Sequence, residues 1–488
     1  MTQMQEIFNF INNLNFIKEY REDFVLIDKN SPRIYKIPGK IFLKAKKDCR
    51  KIDDILINDY SNLKRWSYLP DPKKQSPYRR SPSPKLCLRV AEDCTLGCEY
   101  CFNRTNMLNA KKVKYMSREV GERAVRLFFS HFKQESADVI FFGGEPLMNF
   151  SLIKYLTSYI KKNIKDRKVT FHTLTNGTIM NEDILQWFLD NDLPVKITID
   201  FPASEHNRNR PFKDGSPSFE TIKNNILMIA KRVPPEKISL RGVIPKDSPC
   251  SYEAIHKSFC ESGMPTNNYF ADNQFISHPG EKGYVRAHAV KAMLEKRPIL
   301  KKHRQELIRT GKYSGIYKQD ICDMYLEVIM EGKAPLHECD VARSNAISVN
   351  PIGEIYFCDV KVNIKEFLLG DIFTGLDKEK VKRIMKKYCF ESKECSSCWA
   401  QGFCSKVCPL TRVDKEGREQ ACLITKQTFM DSLDFFLTLN CSQIDKIIKL
   451  SAVSNKKNGH GSHKTALEIY KFLNDANQYI KPVNVAPY

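Results

Sequence analysis

Leu86-Cys87-Leu88-Arg89-Val90-Ala91-Glu92-Asp93-Cys94-Thr95-Leu96-Gly97-Cys98-Glu99-Tyr100-Cys101-Phe102 joins a short apolar run to a C-x3-C-x2-C triplet. The run over 85–90 has the length and residue types of a buried strand. The triplet offers three thiolates, one fewer than a [4Fe–4S] cube requires, so one iron would stay open for a substrate or cofactor. Two aromatic residues, Tyr100 and Phe102, flank its last cysteine. A zinc loop lacking one ligand, or simply buried thiols, would use the same residues. Zinc sites, however, favour paired C-x2-C groups in closed sets of four, so the spacing favours a cluster.

The chain has 488 residues, which predicts two or three domains. With 42% hydrophobic and 28% charged residues the composition is globular, and no apolar stretch approaches the length of a membrane span. The start, Met1-Thr2-Gln3-Met4-Gln5-Glu6-Ile7-Phe8, lacks the basic residues, apolar core and cleavage site of a secretory signal. Its 17 cysteines are odd in number and spread over a long chain, which argues against a disulfide framework. A cytoplasmic protein using thiols for metal ligation is the expectation. The net charge of +21 first suggests nucleic acid. Yet the basic residues are dispersed, and the densest groups (44–51, 378–387 and 456–464) are short. Solvated faces account for each group. The functional alternative is docking of an acidic electron donor or an acidic peptide, with nucleic acid the weaker reading and no membrane partner.

Four segments are expected. Residues 1–84 read as a small α+β module and linker: 24–27 and 33–37 are β-prone, 52–63 is spaced for a helix, and 70–84 is proline-rich. Residues 85–335 form an α/β segment with a helical connection. Strands are predicted at 86–90, 138–142, 169–174, 195–199 and 238–244, and helices at 117–132, 151–164, 181–189 and 219–230. This alternation implies βα units and a parallel sheet, open or closed into a full or partial barrel. Residues 245–335 read as mostly helical and polar. Residues 336–440 are cysteine-rich, and 441–488 form a helical tail.

In such folds the site lies at the C-terminal ends of the strands. The chemistry-bearing residues fall there: the triplet after the first strand, Gly143-Gly144-Glu145-Pro146 after the second, Thr175-Asn176-Gly177 after the third and Asp200 after the fourth. The glycines permit close approach of a ligand, and Glu145 can receive an ammonium group. An ordinary strand-to-helix turn, with Pro146 near the helix start, would look the same.

Taken together, the triplet and Gly143-Gly144-Glu145 resemble the radical S-adenosylmethionine (SAM) superfamily over residues 85 to about 244. The resemblance implies a partial (β/α)6 TIM-like barrel, SAM bound to the open iron, and one-electron cleavage of SAM to a 5′-deoxyadenosyl radical that abstracts hydrogen. Carried over by motif, Cys94, Cys98 and Cys101 would ligate the cluster. Gly143, Gly144 and Glu145 would border the methionine moiety, and Tyr100 would lie against adenine. Thr175, Asn176, Thr198 and Asp200 would lie on the ribose side, and Arg210 would meet the carboxylate. The segment Asp200-Phe201-Pro202 to His206-Asn207-Arg208-Asn209-Arg210 departs from the family pattern. It carries Phe201 for a glycine and Asn207 for an aspartate.

A second group comprises Cys339, Cys358, Cys395, Cys398, Cys404, Cys408 and Cys422, more thiols than one zinc site uses. Two zinc sites would be the alternative. The spacing resembles the SPASM domain of peptide-modifying radical SAM enzymes, an iron–sulfur domain with two auxiliary [4Fe–4S] clusters, three clusters in all. By that resemblance Cys339, Cys358 and Cys408 serve the first auxiliary cluster, and Cys395, Cys398, Cys404 and Cys422 the second. No eighth cysteine follows near Asn345, so the first keeps an open iron or takes another ligand, with Cys322 and Cys389 as candidates. Cys49, Cys87, Cys250, Cys260 and Cys441 read as buried thiols. Asp359 matches the general base of sulfatase-maturing members.

The resemblance implies a peptide substrate. Residues 1–84 look like a winged-helix module that binds the leader of a precursor peptide. The stretch Phe141-Phe142-Gly143-Gly144-Glu145-Pro146-Leu147-Met148-Asn149-Phe150 is similar to maturases that install thioethers. The expected function is therefore a peptide maturase (RiPP type) forming a thioether, with an acidic donor such as flavodoxin or ferredoxin. Carbon–carbon crosslinking and formylglycine formation are alternative reactions, and a non-catalytic iron–sulfur or zinc scaffold is the alternative outside enzymes.

Overall fold

The computed structural model describes residues 14–20, 23–28, 34–38, 67–68, 83–101, 103, 114–245, 248–266, 269–273, 345–388, 393–396, 398, 400, 404 and 415–438. Six strands carry the central architecture: β5 (Lys85–Ala91), β6 (Ser136–Gly143), β7 (Lys168–Thr173), β8 (Val195–Thr198), β9 (Ile238–Ile244) and β10 (Tyr269–Asn273). They run parallel in chain order. β5 pairs with β6 and β6 with β7, a Thr175↔Ile197 bridge joins that sheet to β8, and β9 then links β8 to β10. Six parallel strands in this order form the expected partial barrel.

The helices are α1 (Arg118–His131), α2 (Phe150–Asn163), α3 (Glu182–Asp190), α4 (Ala203–Asn209), α5 (Phe219–Ala230) and α6 (Tyr252–Glu261). Ser117 caps α1 by accepting from Val120 N, and Asn181 caps α3 by accepting from Ile184 N, so both helices start where a cap residue precedes an apolar period. On β6, Ala137, Val139 and Phe141 are buried while Asp138, Ile140 and Phe142 are only half-buried. The buried face meets Phe128 of α1, Leu156 of α2, Trp187 of α3 and Ile226 of α5 in one core. Each such side chain contributes roughly 1.5–3 kcal/mol by leaving water.

The barrel sheet continues on the other side of β5. β11 (Ala346–Val349) lies parallel to it, with Ser348 opposite Cys87, and β12 (Glu354–Tyr356), β13 (Leu368–Asp371) and β14 (Gly375–Leu376) follow antiparallel. The C-terminal segment thus shares a sheet with the strand that precedes the triplet. Helices α7 (Lys378–Tyr388), α8 (Lys393–Ser396) and α9 (Lys415–Thr438) complete it. Near the N-terminus, β1 (Leu14–Tyr20), β2 (Asp23–Asp28), β3 (Ile34–Pro38) and β4 (Ser67–Tyr68) form a separate antiparallel sheet in that order. The two β-prone runs become β2 and β3, and the helix expected over 52–63 lies outside the described residues.

Within 245–335, where the described residues are 245, 248–266 and 269–273, α6 is helical as expected and β10 is a strand that the sequence reading does not give. Its five residues end in Asp272 and Asn273, and the open edge of β9, not an apolar period of its own, specifies it. Gly143 ends β6 for a packing reason. It has φ +145°, and a Cβ there would stand 2.0 Å from the Ala91 carbonyl oxygen of β5. Gly143→Ala is therefore expected to cost about 3–5 kcal/mol through combined backbone strain and overlap, read as a lower urea midpoint.

Candidate active site

Each of the first four barrel strands hands a functional group to the same end. After β5, the cysteine loop is stitched down by Gly97 N to Pro211 O at 2.8 Å, Lys213 N to Thr95 O at 3.2 Å and Glu99 N to Asn209 O at 3.4 Å. Asp93, which accepts from Cys94 N at 2.9 Å, also pairs with Lys213. The Cys94 sulfur accepts from Leu96 N and from Asn176 Nδ2, both at 3.4 Å. Burial pushes the Cys94 thiol up to about 11 and the Cys98 thiol up to about 12, with the charges of neighbouring triplet cysteines adding to each. Both are thus protonated at neutral pH, and metal binding would release their protons.

After β6, Glu145 is fully buried. Its Oε1 accepts from Leu147 N at 3.0 Å and Thr175 Oγ1 at 2.7 Å, and its Oε2 accepts from Asn176 N at 2.7 Å. Burial raises its pKa to about 7 against the pull of these donors. After β7, Asn176 donates to Cys94 and to Thr95 Oγ1 (2.9 Å) while accepting from Thr178 N at 2.9 Å. Gly177 has φ +77°, and a Cβ there would also stand 2.7 Å from Ile197 Cγ2. One carboxylate and one amide therefore lock the second and third strand ends to the cysteine loop.

After β8, Asp200 Oδ1 accepts from Val243 N at 2.8 Å, and Oδ2 accepts from Arg210 Nε at 2.9 Å and from the Tyr100 hydroxyl. Arg210 Nη1 donates to Thr198 Oγ1 at 3.2 Å, and the guanidinium lies 5.1 Å from the Tyr100 ring centroid. Burial works against the Arg210 charge, but Asp200, Tyr100 and Cys98 together more than offset it and the pKa rises. Nη2 has no hydrogen-bond partner among the described residues, which leaves one edge of the guanidinium for an anion. His206 Nδ1 accepts from Asp200 N at 3.0 Å, so the proton sits on Nε2, which faces Ser218 Oγ at 2.9 Å. The Ser218 hydroxyl in turn donates to the Arg210 carbonyl at 2.6 Å.

Burial lowers the His206 pKa to about 4. The folded state thus binds fewer protons than the unfolded state between pH 4 and 6.5. His206 stability is present above 6.5 and lost as pH falls through 4, at about 1.4 kcal/mol per unit inside that window. Replacing His206 by Asn is expected to flatten the acid limb of urea midpoint against pH.

The two departures from the family pattern are used structurally. Phe201 is a core side chain, its ring 5.7, 5.5 and 5.0 Å from those of Phe219, Phe259 and Tyr269. Asn207 accepts from Ser218 N and Phe219 N, at 3.1 and 2.9 Å, and so caps α5.

Sequence reasoning missed Arg89. It is fully buried and forks onto Glu92 with two 2.7 Å bonds, although a charge inside an apolar strand always demands a buried partner. In the C-terminal segment, Cys358 precedes a turn at Asp359–Lys361, and its thiol donates to Asp359 Oδ1 at 3.5 Å. Cys395 and Cys398 lie on and just after α8, where Cys398 N donates to Cys395 O at 3.1 Å. Cys404 and the α9 residue Cys422 are half-buried. Cys339 and Cys408, like Cys49, Cys322, Cys389 and Cys441, lie outside the described residues. Of the expected buried thiols, Cys87 is buried and Cys250 half-buried, but Cys260 is exposed. It lies one turn from His256 near the end of α6, on a face that its helix leaves to solvent.

The donor chemistry fits an iron–sulfur cluster and SAM. Three thiols share one loop beside Asn176, with a buried carboxylate and an arginine edge nearby. Asn209, whose carbonyl anchors that loop, keeps a buried Nδ2 without a partner, a donor suited to an acceptor-rich group. Residues 88–259 match the family model described as the Radical SAM superfamily. The chain carries a radical SAM domain. It is an enzyme of that kind, and its cofactors are SAM and a [4Fe–4S] cluster. Over 308 residues it is 24% identical to uncharacterized protein MJ0907 of Methanocaldococcus jannaschii, covering 62% of this chain and 94% of that protein. Over 174 residues it is 29% identical to a cysteine-type anaerobic sulfatase-maturating enzyme of Clostridium novyi, covering 35% of this chain and 46% of that enzyme. The fold matches a solved structure described as native anSMEcpe with bound AdoMet and Kp18Cys peptide, with TM-score 0.55 and 21% identity, over 76% of this chain and all of that one. Among the described residues no helix is long and apolar enough to cross a membrane.

Proposed function

We propose that this radical SAM enzyme is a peptide maturase that closes a thioether between a cysteine and an acceptor residue of a precursor peptide. The observation that carries this reading is the sheet shared by the two cysteine regions. β11 runs beside β5, and the Cys358–Asp359 turn is tied by Arg89 Nη1 to the strand that leads into the triplet. In this reading the Cys358 thiol and the Asp359 carboxylate belong to a turn that this strand holds. A matched fold with a bound peptide supports the substrate class.

In this reading Cys94, Cys98 and Cys101 hold the SAM-binding cluster. Glu145 receives the methionine ammonium through the remaining lone pair of Oε2, and Arg210 receives the carboxylate at Nη2. Gly143 and Gly144 border the methionine, Tyr100 the adenine, and Thr175, Asn176, Thr198 and Asp200 the ribose side. When bound, the cluster and SAM supply the hydrogen-abstracting 5′-deoxyadenosyl radical. Cys339, Cys358 and Cys408 hold one auxiliary cluster, and Cys395, Cys398, Cys404 and Cys422 another. Asp359 takes the thiol proton released when the peptide group reacts, and the one electron left over by hydrogen abstraction and ring closure would pass to an auxiliary cluster. The outer edge of β1 is offered to a leader strand. The positive charge attracts an acidic electron donor in the cytoplasm.

Formylglycine formation is the second reading, favoured by the sulfatase-maturating relative. The test uses reconstituted full-length enzyme, SAM, dithionite and any short cysteine-containing peptide found encoded beside its gene. Loss of two hydrogens with the thiol closed to iodoacetamide is the expected result. The same mass with a reactive thiol means a carbon–carbon link, and exchange of sulfur for oxygen together with loss of two hydrogens means formylglycine. Deoxyadenosine formed with the peptide unchanged would overturn the maturase reading.

A further inference from the structure

Arg89 lies on β5 five residues before Cys94, and neither it nor Glu92 exposes any side-chain surface. Its Nε and Nη2 occupy both oxygens of Glu92, and its Nη1 reaches Asn103 Oδ1 at 3.0 Å and the Asp359 carbonyl at 3.3 Å. Glu92 Oε1 also accepts from Asn363 Nδ2 at 3.3 Å, so both members of the pair touch the turn that follows Cys358. Asn103, just beyond the triplet, donates to the Gly143 carbonyl at 3.0 Å and connects the same group to the Gly-Gly-Glu strand end.

A buried ion pair is weak evidence for stability, because the loss of hydration offsets the attraction. What this one supplies is geometry. A planar fork with fixed donor directions joins two segments 270 residues apart. A lysine would place one charge beside Glu92 but could not hold Glu92, Asn103 and Asp359 together.

We propose that Arg89 is a positioning residue that holds the Cys358–Asp359 turn in place against the radical-cluster loop. The inference rests on the reading of that turn as part of the site. The test is hydrogen exchange on reconstituted full-length chains carrying Arg89→Lys or the double change Arg89→Met with Glu92→Leu. The double variant removes the pair without stranding a charge. Both are expected to raise exchange in peptides covering 357–364 by roughly tenfold or more, with α1 unchanged. The signal of a reduced cluster at Cys358 is expected to shift in both, while that of the SAM-bound cluster stays. Equal loosening throughout the barrel, or a turn that exchanges as in the wild type, overturns the proposal. Iron content separates the two questions. A wild-type chain holding one cluster undoes the reading of Cys358, while the exchange result still decides the role of Arg89.

Discussion

Cys98→Ala is expected to abolish deoxyadenosine formation while leaving the barrel folded. Two thiols cannot retain a cube that already leaves one iron open, so about four irons per chain should be lost with the activity. The drop should exceed the ~10–100-fold typical of losing an outer partner of a metal ligand. Cys98 sits in a loop held by backbone bonds at Gly97 and Glu99, which the substitution leaves intact. Circular dichroism should therefore match the wild type. Two other cysteines give contrasting controls: the exposed Cys260→Ala should change nothing, and Cys422→Ala should first weaken the auxiliary signal. Deoxyadenosine at wild-type rates from Cys98→Ala would remove the triplet from the reaction.

Glu145→Ala is expected to harm both stability and SAM binding. The substitution strands three donors, Leu147 N, Thr175 Oγ1 and Asn176 N, in a buried place, at about 1–3 kcal/mol for each left unpaired. Glu145→Gln keeps the shape but turns an amide NH2 toward at least one of those donors, so it should rescue only partly. The pH behaviour separates scaffold from ligand. Because the folded pKa of about 7 is raised above its ordinary value of 4.5, the group favours the apo fold below 4.5, and that contribution is lost as pH rises through 7. Ammonium binding instead needs the ionised form. SAM affinity should therefore weaken about tenfold per unit below pH 7 in the wild type, measured by equilibrium dialysis, and stay flat in Glu145→Gln. A flat wild-type profile would confine Glu145 to a structural clamp.

The barrel was legible because its signals are local. Strands of five to seven residues rich in apolar or β-branched side chains, caps such as Ser117 and Asn181, and a triplet with unusual spacing each declare themselves within a few residues. The strand-end logic then placed Glu145, Asn176 and Asp200 at one end, where the structure has them bonded to the cysteine loop or its neighbours. Long-range features were not legible. Nothing in residues 346–349 announces a parallel partner for β5, and β10 takes its strand identity from the edge of β9. Arg89 did carry a signal, a charge in a buried strand, but its partner at Asp359 lies too far along the chain for any local pattern to indicate. Gly143 was legible as a special residue for a different reason. Its bareness is required by the Ala91 carbonyl, before any ligand is considered.

The central claim is that SAM binds the iron left open by Cys94, Cys98 and Cys101, between Glu145 and Arg210. The direct measurement is electron–nuclear double resonance on the reduced, reconstituted enzyme with SAM isotope-labelled at its amino nitrogen and carboxylate. Hyperfine coupling from both positions to the cluster is the predicted result, weakened in Arg210→Met. A fully loaded cluster that shows no coupling to either label would contradict the account.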